Sequence, residues 1–198
     1  MVEQHWSYMD QFAASMIARG PTFTSDGTLT GSVHILDLPD PAAARTFAFE
    51  EPGYQAGAYR DVLLRRWHNT QGRTMWDFSS SRPGNNRYLV LGFMLEPAGA
   101  ATDLPRRDEL IVSGPLLSDD GSFVLGAAVL LEAPDADDAG SPFRSSLRRN
   151  RSPSLAVRWA TKLRLAPDAA AAGLSLVKKQ GREVPCLVSA RKSRGQTR

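Results

Sequence analysis

MIARGPTFTSDGTLTGSVHILDLPD, residues 16–40, occurs twice in this chain in closely similar form. The second copy, LIVSGPLLSDDGSFVLGAAVLLEAPD, spans residues 110–135. Both copies contain a Gly-Pro pair, an Asp-Gly pair, a single glycine and a Pro-Asp pair in that order, with one residue inserted after the second Asp-Gly. Because Asp-Gly between branched apolar residues is a strong hairpin signal, we interpret each copy as a β-hairpin. The matching spacing indicates one supersecondary unit that is used twice.

A helix is predicted before the first copy. Between residues 3 and 19 the apolar residues recur at steps of three and four, which gives one apolar face. Gly20-Pro21 is expected to end this helix, because glycine suits the position after a helix and proline cannot continue it. We expect residues 22–24 to begin the hairpin and residues 31–38 to form its second strand.

A second helix and a further strand are predicted after the first copy. Asp40 followed by Pro41 has the chemistry of a helix N-cap and first helical position, so we expect a helix over residues 42–49. Glu51-Pro52-Gly53 breaks that helix, and residues 59–67 predict a strand because apolar and polar residues roughly alternate. The first half therefore has the order helix, strand, strand, helix, strand.

This order is that of a ferredoxin-like α+β unit without its first strand. That strand belongs in the interior of the sheet, so another segment must take its place. Two explanations are open. The unit begins upstream of Met1, or residues 88–95 supply the strand from the other side. The second explanation corresponds to a circular permutation, because the first and last strands of such a unit are antiparallel neighbours.

The rest of the chain divides into three parts. Residues 69–86 are predicted to be a linker, in which Trp76 and Phe78 either pin the segment to a module or line a ligand cleft. Residues 87–140 are predicted to form a second, incomplete unit, with a strand at 88–95, a short helix at 103–109 and a helix from Asp135. Residues 141–198 predict a disordered or irregular basic tail, or an out-of-frame reading of the gene. Within them, a strand and an amphipathic helix are both open for residues 154–165.

The charge is divided unevenly between these parts. Residues 144–198 contain 14 Lys/Arg and 2 Asp/Glu, whereas residues 1–143 contain 10 and 19, which gives net charges of +12 and −9. Electrostatic binding of nucleic acid or another polyanion would therefore depend on the tail. The tail lacks the interleaved aromatic residues of a single-strand binder, so we do not expect nucleic-acid binding.

The composition bounds the cellular setting. The single Cys186 excludes an internal disulfide. No apolar run is long enough to span a membrane, and the N-terminus lacks the basic start and apolar block of a secretory signal. We therefore expect a cytoplasmic protein that does not contact a membrane.

Short motifs of the first half occur in an order typical of a known family. They are Glu3-Gln4-His5, Ala18-Arg19-Gly20-Pro21, Thr30-Gly31-Ser32, Glu51-Pro52 with Tyr54, Ala56-Gly57-Ala58-Tyr59, and a strand that ends at Trp67. In these motifs the chain resembles the YCII-related (YciI-like) domain family over about residues 3–68. The second half matches over about residues 88–139 only.

The resemblance implies a ferredoxin-like fold whose sheets pair into a dimeric α/β barrel. Two tandem units, the second partly degenerate, would form that pair as a pseudo-dimer within the chain, or two chains would form a homodimer. The resemblance also implies a site in which a histidine at the start of the first helix faces an acidic residue before a proline. The matching positions are His5 and Glu51, where the acid is one methylene longer than the usual Asp. All the histidines lie in the first half, so we expect one site.

A histidine beside a carboxylate suits acid–base chemistry, because the carboxylate fixes the tautomer and orientation of the imidazole. We therefore predict a small-molecule enzyme or ligand-binding protein with His5 and Glu51 as catalytic residues. Lyase- or hydrolase-type chemistry is implied by the resemblance, since one family member performs an elimination on a chlorinated aromatic ring. A non-catalytic structural or interaction module of the same fold and polyanion binding through the tail are the alternatives.

The other candidate residues have simpler interpretations. Alternation places His34 on one face with Ser32 and Leu36, where it joins the site if that face points into the barrel and is otherwise an exposed or satisfied core histidine. His68 follows a strand and is expected to be exposed. No spacing of His, Asp and Glu resembles a metal site, and no glycine loop resembles a phosphate site, so we expect no metal or cofactor.

Overall fold

The computed structural model describes residues 2–79, 81–99, 108–141, 155–163 and 184–192, the last two ranges by their backbone alone. The described part is a mixed α+β structure built on antiparallel strands. The helices are α1 Val2–Asp10, α2 Pro41–Phe49 and α3 Pro52–Gln55, with short 3-10 turns at Ala13–Ser15 and Met75–Asp77 and further helical residues at 136–141. The strands are β1 Met16–Phe23, β2 Leu29–Leu38, β3 Tyr59–Trp67, β4 Asn86–Ala98, β5 Leu110–Leu117, β6 Val124–Ala133, β7 Leu155–Leu163 and β8 Val184–Lys192.

The described strands close into a barrel in the order β1-β2-β8-β3-β5-β6-β4-β7. Six of the contacts between neighbouring strands are long ladders. The two that join the halves, β1 with β7 and β3 with β5, are each only two residue pairs long. The barrel is therefore made of two four-stranded antiparallel halves with short seams between them.

The predicted hairpins are present in both copies. Residues of β1 pair with β2 from Met16↔Leu36 to Phe23↔Leu29, and β5 pairs with β6 from Leu110↔Leu131 to Leu117↔Val124. The turn glycines Gly27 and Gly121 have φ angles of 86° and 79°, in the left-handed region that favours glycine. The Asp-Gly signal therefore located both turns for the expected physical reason.

A strand from the end of the chain lies between two strands of the first half. The strand between β2 and β3 is β8, which pairs with residues Gly31–Leu38 of β2 and with Tyr59–Arg66 of β3. Residues 88–95 lie in β4 and pair with β6 and β7 instead. Residues 88–95 therefore do not occupy the place between β2 and β3 that one of our two explanations gave them.

Two strands also correct the prediction for residues 141–198. β7 pairs with β4 from Arg87↔Leu163 to Met94↔Leu155, so a strand does follow the helical residues 136–141. β7 falls within residues 154–165, for which a strand was one of the two alternatives, whereas a disordered or irregular tail is wrong for β8. Their composition misled because two short strands lie between long Arg-, Ser- and Ala-rich stretches. Residues 142–154, 164–183 and 193–198 lie outside the described residues, as do residues 103–107 of the predicted short helix.

The first helix is shorter than predicted. It ends at Asp10, and the residues from Met16 onward form β1. The spacing of Met9, Phe12 and Met16 mimics a helix, but Ala18–Thr22 pair residue by residue with β2. Strand pairing therefore overrode the local pattern, and Gly20-Pro21 is a strand feature rather than a helix end.

The apolar core has three layers. A cluster inside the barrel joins β1 and β2 to β4, β5 and β6 and includes the buried Trp67. A second cluster packs α1 and α2 against the outer face of β1 and β2 around Phe47. A third lies outside β4, β5 and β6 and includes Ala139. Alternation along β2 follows this division, because Val33 and Ile35 belong to the inner cluster and Leu36 to an outer one.

Residues 69–79 are packed onto the barrel. Thr70 and Arg73 donate hydrogen bonds to backbone carbonyls of β5. Met75 and Phe78 are buried in the inner cluster, and Trp76 packs against both it and the cluster around Phe47. The aromatic residues of the expected linker therefore pin it to the fold. Among the described residues, no helix has both the length and the apolar character needed to cross a bilayer.

Candidate functional site

His5 and Glu51 form a hydrogen-bonded pair. The Nδ1 atom of His5 lies 2.7 Å from Oε1 of Glu51, and the Glu51 residue is only 4% exposed. His5 projects from the first turn of α1, while Glu51 is the N-cap of α3, and the two helices contact each other. The second carboxylate oxygen, Oε2, accepts a hydrogen bond of 2.8 Å from the backbone N–H of Tyr54. One carboxylate therefore caps α3 and holds the imidazole.

The electrostatics keep Glu51 ionised. Burial raises its pKa, but the hydrogen bond from His5 and those from the backbone N–H groups of Gly53 and Tyr54 outweigh burial, so the pKa lies below its ordinary value. An ionised carboxylate only accepts hydrogen bonds, so Nδ1 of His5 must carry the proton that faces it. The other ring nitrogen, Nε2, has no hydrogen-bond partner among the residues that the structure describes.

His34 lies beside this pair. Its ring centroid is 6.1 Å from that of His5 and 5.7 Å from that of Phe47. The residue is 7% exposed, and burial first, then the proximity of His5 and of Arg19, lower its pKa to about 3 against the opposing effect of Glu51. His34 is therefore neutral near physiological pH. It lies on the face of β2 that the helices cover. From the sequence, we expected it to join the site only if its face pointed into the barrel.

Tyr59 lies near Glu51. A Cβ atom on Gly53 would be 2.9 Å from Oε2 of Glu51 and 3.1 Å from the Tyr59 ring, so glycine is needed where these groups converge. Burial raises the pKa of Tyr59, and the nearby Glu51 charge raises it further. The phenol is therefore protonated at neutral pH.

A cation and an aromatic ring complete the cluster. The guanidinium of Arg19 lies over the indole of Trp6, with Cζ 5.3 Å from the ring centroid. The Trp6 and His5 rings are 5.3 Å apart in an edge-to-face arrangement. Trp6 is 45% exposed, so this end of the cluster is open to solvent.

Sequence reasoning found part of this cluster. It named His5 and Glu51, which the structure brings together, and it left His34 as an alternative. It did not assign roles to Arg19, Trp6, Ser32 or Tyr59. Cross-strand register was the missing signal, because Arg19 is paired with His34 only once β1 is recognised as a strand. His68 is exposed and lies outside the cluster.

Other described features do not extend the site. Within the described residues, no group of three or more His, Cys, Asp and Glu side chains is placed to hold a metal ion. A surface groove between α2 and β3 is bordered by Arg45, Leu64 and Asp119 and includes none of the residues around His5.

Residues 1–68 match the family model of the YCII-related domain. This match covers about the first third of the chain. The match contains every residue of the cluster around His5 and ends directly after β3. No curated protein and no solved structure shows significant similarity to the chain. Similarity to the YCII-related domain leaves the reaction and the ligand open, so these are argued from the geometry.

Proposed function

We propose that this protein is a small-molecule enzyme in which His5 is the general base and Glu51 its orienting partner. The observation that carries the proposal is the 2.7 Å contact from Nδ1 of His5 to a buried, ionised carboxylate. This contact fixes the tautomer and leaves Nε2 as the proton acceptor. The His5 side chain is 22% exposed, so a ligand in solution can reach it.

The arrangement supports removal of a proton from a bound ligand. Nε2 of His5 accepts the proton, and the Glu51 carboxylate stabilises the imidazolium that results. The same base would act on a carbon-bound proton next to a leaving group or on a water molecule. We therefore favour a lyase- or hydrolase-type reaction.

We also infer that the chain contains two ferredoxin-like units paired as a pseudo-dimer. The support is the strand order. Within each half, the fourth, first, third and second strands of a unit lie side by side in that order. The order is β7-β4-β6-β5 in one half and β3-β8-β2-β1 in the other, when β8 is counted as the first strand of its half. In this interpretation the first unit is circularly permuted, since β8 comes last in the chain. The closed barrel then corresponds to a pair of sheets from one chain.

The His5–Glu51 pair is tested by ¹⁵N NMR of the histidine rings in the full chain. We expect Nδ1 of His5 to be protonated and its proton signal to be shifted strongly downfield, and we expect Glu51→Gln to remove that shift. A small-molecule thermal-shift screen then compares the wild type with His5→Ala. The matched control is His68→Ala, because His68 is exposed and outside the cluster.

Ligands that stabilise the wild type and His68→Ala but not His5→Ala support a functional site. A His5 ring in the opposite tautomer, or unaffected by Glu51→Gln, would refute the acid–base assignment. Hits that stabilise all three proteins equally would favour the non-catalytic module. The polyanion alternative depends on the basic runs 144–151 and 190–194, the first of which lies outside the described residues.

A further inference from the structure

Arg19 brings a positive charge to the site, and none of the described carboxylates pairs with it. It pairs across the β1–β2 ladder with His34, so both side chains lie on the sheet face that α1 covers. Glu51 directs its charge at His5. Within the described part of the chain, Arg19 forms no ion pair. A half-buried cation of this kind attracts an anion from solution.

The surroundings of Arg19 favour an organic anion. Trp6 lies against the guanidinium, which holds the side chain in place while its N–H groups remain available in the guanidinium plane. The planar fork of N–H donors matches a carboxylate, which it binds through two parallel hydrogen bonds. The exposed indole also offers apolar surface for the rest of a ligand.

The neighbouring histidines place such a ligand next to the base. His34 is cross-strand from Arg19, and the His5 ring is 6.1 Å from His34 and 5.3 Å from Trp6. Because His34 is neutral, it does not compete with Arg19 for the anion as a second charge, and it provides a hydrogen-bonding ring nitrogen. An anionic group on Arg19 thus leaves the adjoining atoms of the ligand facing His5.

We propose that Arg19 makes the His5–Glu51 site selective for small organic anions, carboxylates above all. This inference rests on the proposed function, because it names the ligand class of the same site. Arg19 is a specificity-determining residue that contacts the ligand's anionic group, while His5 receives the proton. An Arg19 that only covers Trp6 would stabilise the fold without selecting a charge.

The test is a titration of the full chain with sodium benzoate and with benzamide, its neutral analogue of the same shape. Ionic strength is held constant with sodium chloride. The indole N–H signal of Trp6, assigned with Trp6→Phe, and the ring signals of His5 report binding at the site. We expect benzoate to move both signals and to bind at least about tenfold more tightly than benzamide.

Variants separate charge selection from packing. Arg19→Gln is expected to weaken benzoate binding about tenfold and to leave benzamide binding unchanged. Arg45→Gln is the matched control, because Arg45 is an exposed arginine on α2 outside the cluster. Arg19→Lys keeps the charge without the fork, so we expect it to retain the preference for benzoate at reduced affinity.

Several results would overturn the inference. One is that the Trp6 and His5 signals do not shift at benzoate concentrations up to about 20 mM. The others are equal affinities for benzoate and benzamide, and an unchanged benzoate affinity in Arg19→Gln. If Arg19→Gln does not fold, unchanged benzoate affinity in Arg19→Lys has the same consequence. Failure of benzoate binding with the His5 Nδ1 signal intact refutes this inference alone. Loss of that signal with selective benzoate binding intact refutes the acid–base function alone.

Discussion

The buried His34 makes the stability of this protein depend on pH in a calculable way. Its pKa is about 3 in the folded protein against an ordinary value of 6.5. Below pH 6.5 the unfolded chain therefore binds a proton that the folded protein does not, so stability falls as the pH falls from 6.5 towards 3. Above pH 6.5 both states are neutral at this residue, and its contribution no longer changes.

The magnitude follows from the size of the shift. Each pH unit below 6.5 is worth about 1.4 kcal/mol, so we expect His34 alone to remove about 2 kcal/mol of stability between about pH 7.5 and pH 5. Glu51 acts in the same direction, since its lowered pKa is a stabilisation that is lost on acidification. His5 and Arg19 also face His34, so the comparison must leave all three unchanged.

The assay is urea unfolding of the wild type and of His34→Gln at a series of pH values, with the m-value checked for two-state behaviour. Glutamine does not titrate, whereas Glu51, His5 and Arg19 are common to both proteins. We expect the stability difference between the two proteins to change by about 2 kcal/mol across this pH range, in favour of the variant at low pH. Parallel pH profiles would show that His34 is not buried as a neutral ring, and the argument for its place in the site would fail.

Two further predictions concern the barrel. Ending the chain before β8 removes the strand that pairs with eight residues of β2 and seven of β3, so we expect the protein to lose more than about 5 kcal/mol of stability and to unfold without cooperativity. A chain that ends at Lys192 should keep its cooperative transition. Far-UV circular dichroism during heating distinguishes these outcomes, and equal behaviour of the two truncations would refute the assigned position of β8. Gly114→Ala would place a Cβ atom on the His68 carbonyl oxygen, so we expect a loss of more than about 3 kcal/mol. In Gly27→Ala the new Cβ atom meets no other atom and the only strain is the φ of 86°, so we expect a loss of about 1 kcal/mol of stability. Urea unfolding measures both losses. Equal losses would contradict the close approach of His68 to β5.

Local chemistry predicted the elements whose signals are short in range. The Asp40 side chain accepts a hydrogen bond from the N–H of Ala43, as expected of an N-cap before Pro41, and α2 follows. The strand predicted at residues 59–67 is β3. Turn glycines, caps and alternation depend on a few neighbouring residues, so the sequence alone contains enough information to place them.

Elements that depend on distant partners were not predictable in the same way. Met16–Phe23 has a helix-like apolar spacing, and only its pairing with β2 makes it a strand. β8 is separated from β2 by about three-quarters of the chain, and no pattern in the residues of β8 predicts that it pairs with β2. The same applies to Arg19, whose place beside His34 follows from register. The sequence therefore predicted only the part of the candidate site that a motif identifies, which is His5 and Glu51.

The longer acid at position 51 is what allows one carboxylate to perform two tasks. Glutamate is not among the preferred N-cap residues, because its carboxylate lies further from its own backbone than that of Asp or the hydroxyl of Ser. Here the additional methylene lets Oε2 reach back to the N–H of Tyr54 while Oε1 extends 2.7 Å to the His5 ring. The cap fixes the direction of the carboxylate, and Gly53 leaves room for it. The helix start and the orientation of the imidazole thus depend on the same side chain, so the geometry of the base is determined by the fold of α3 rather than by α1 alone.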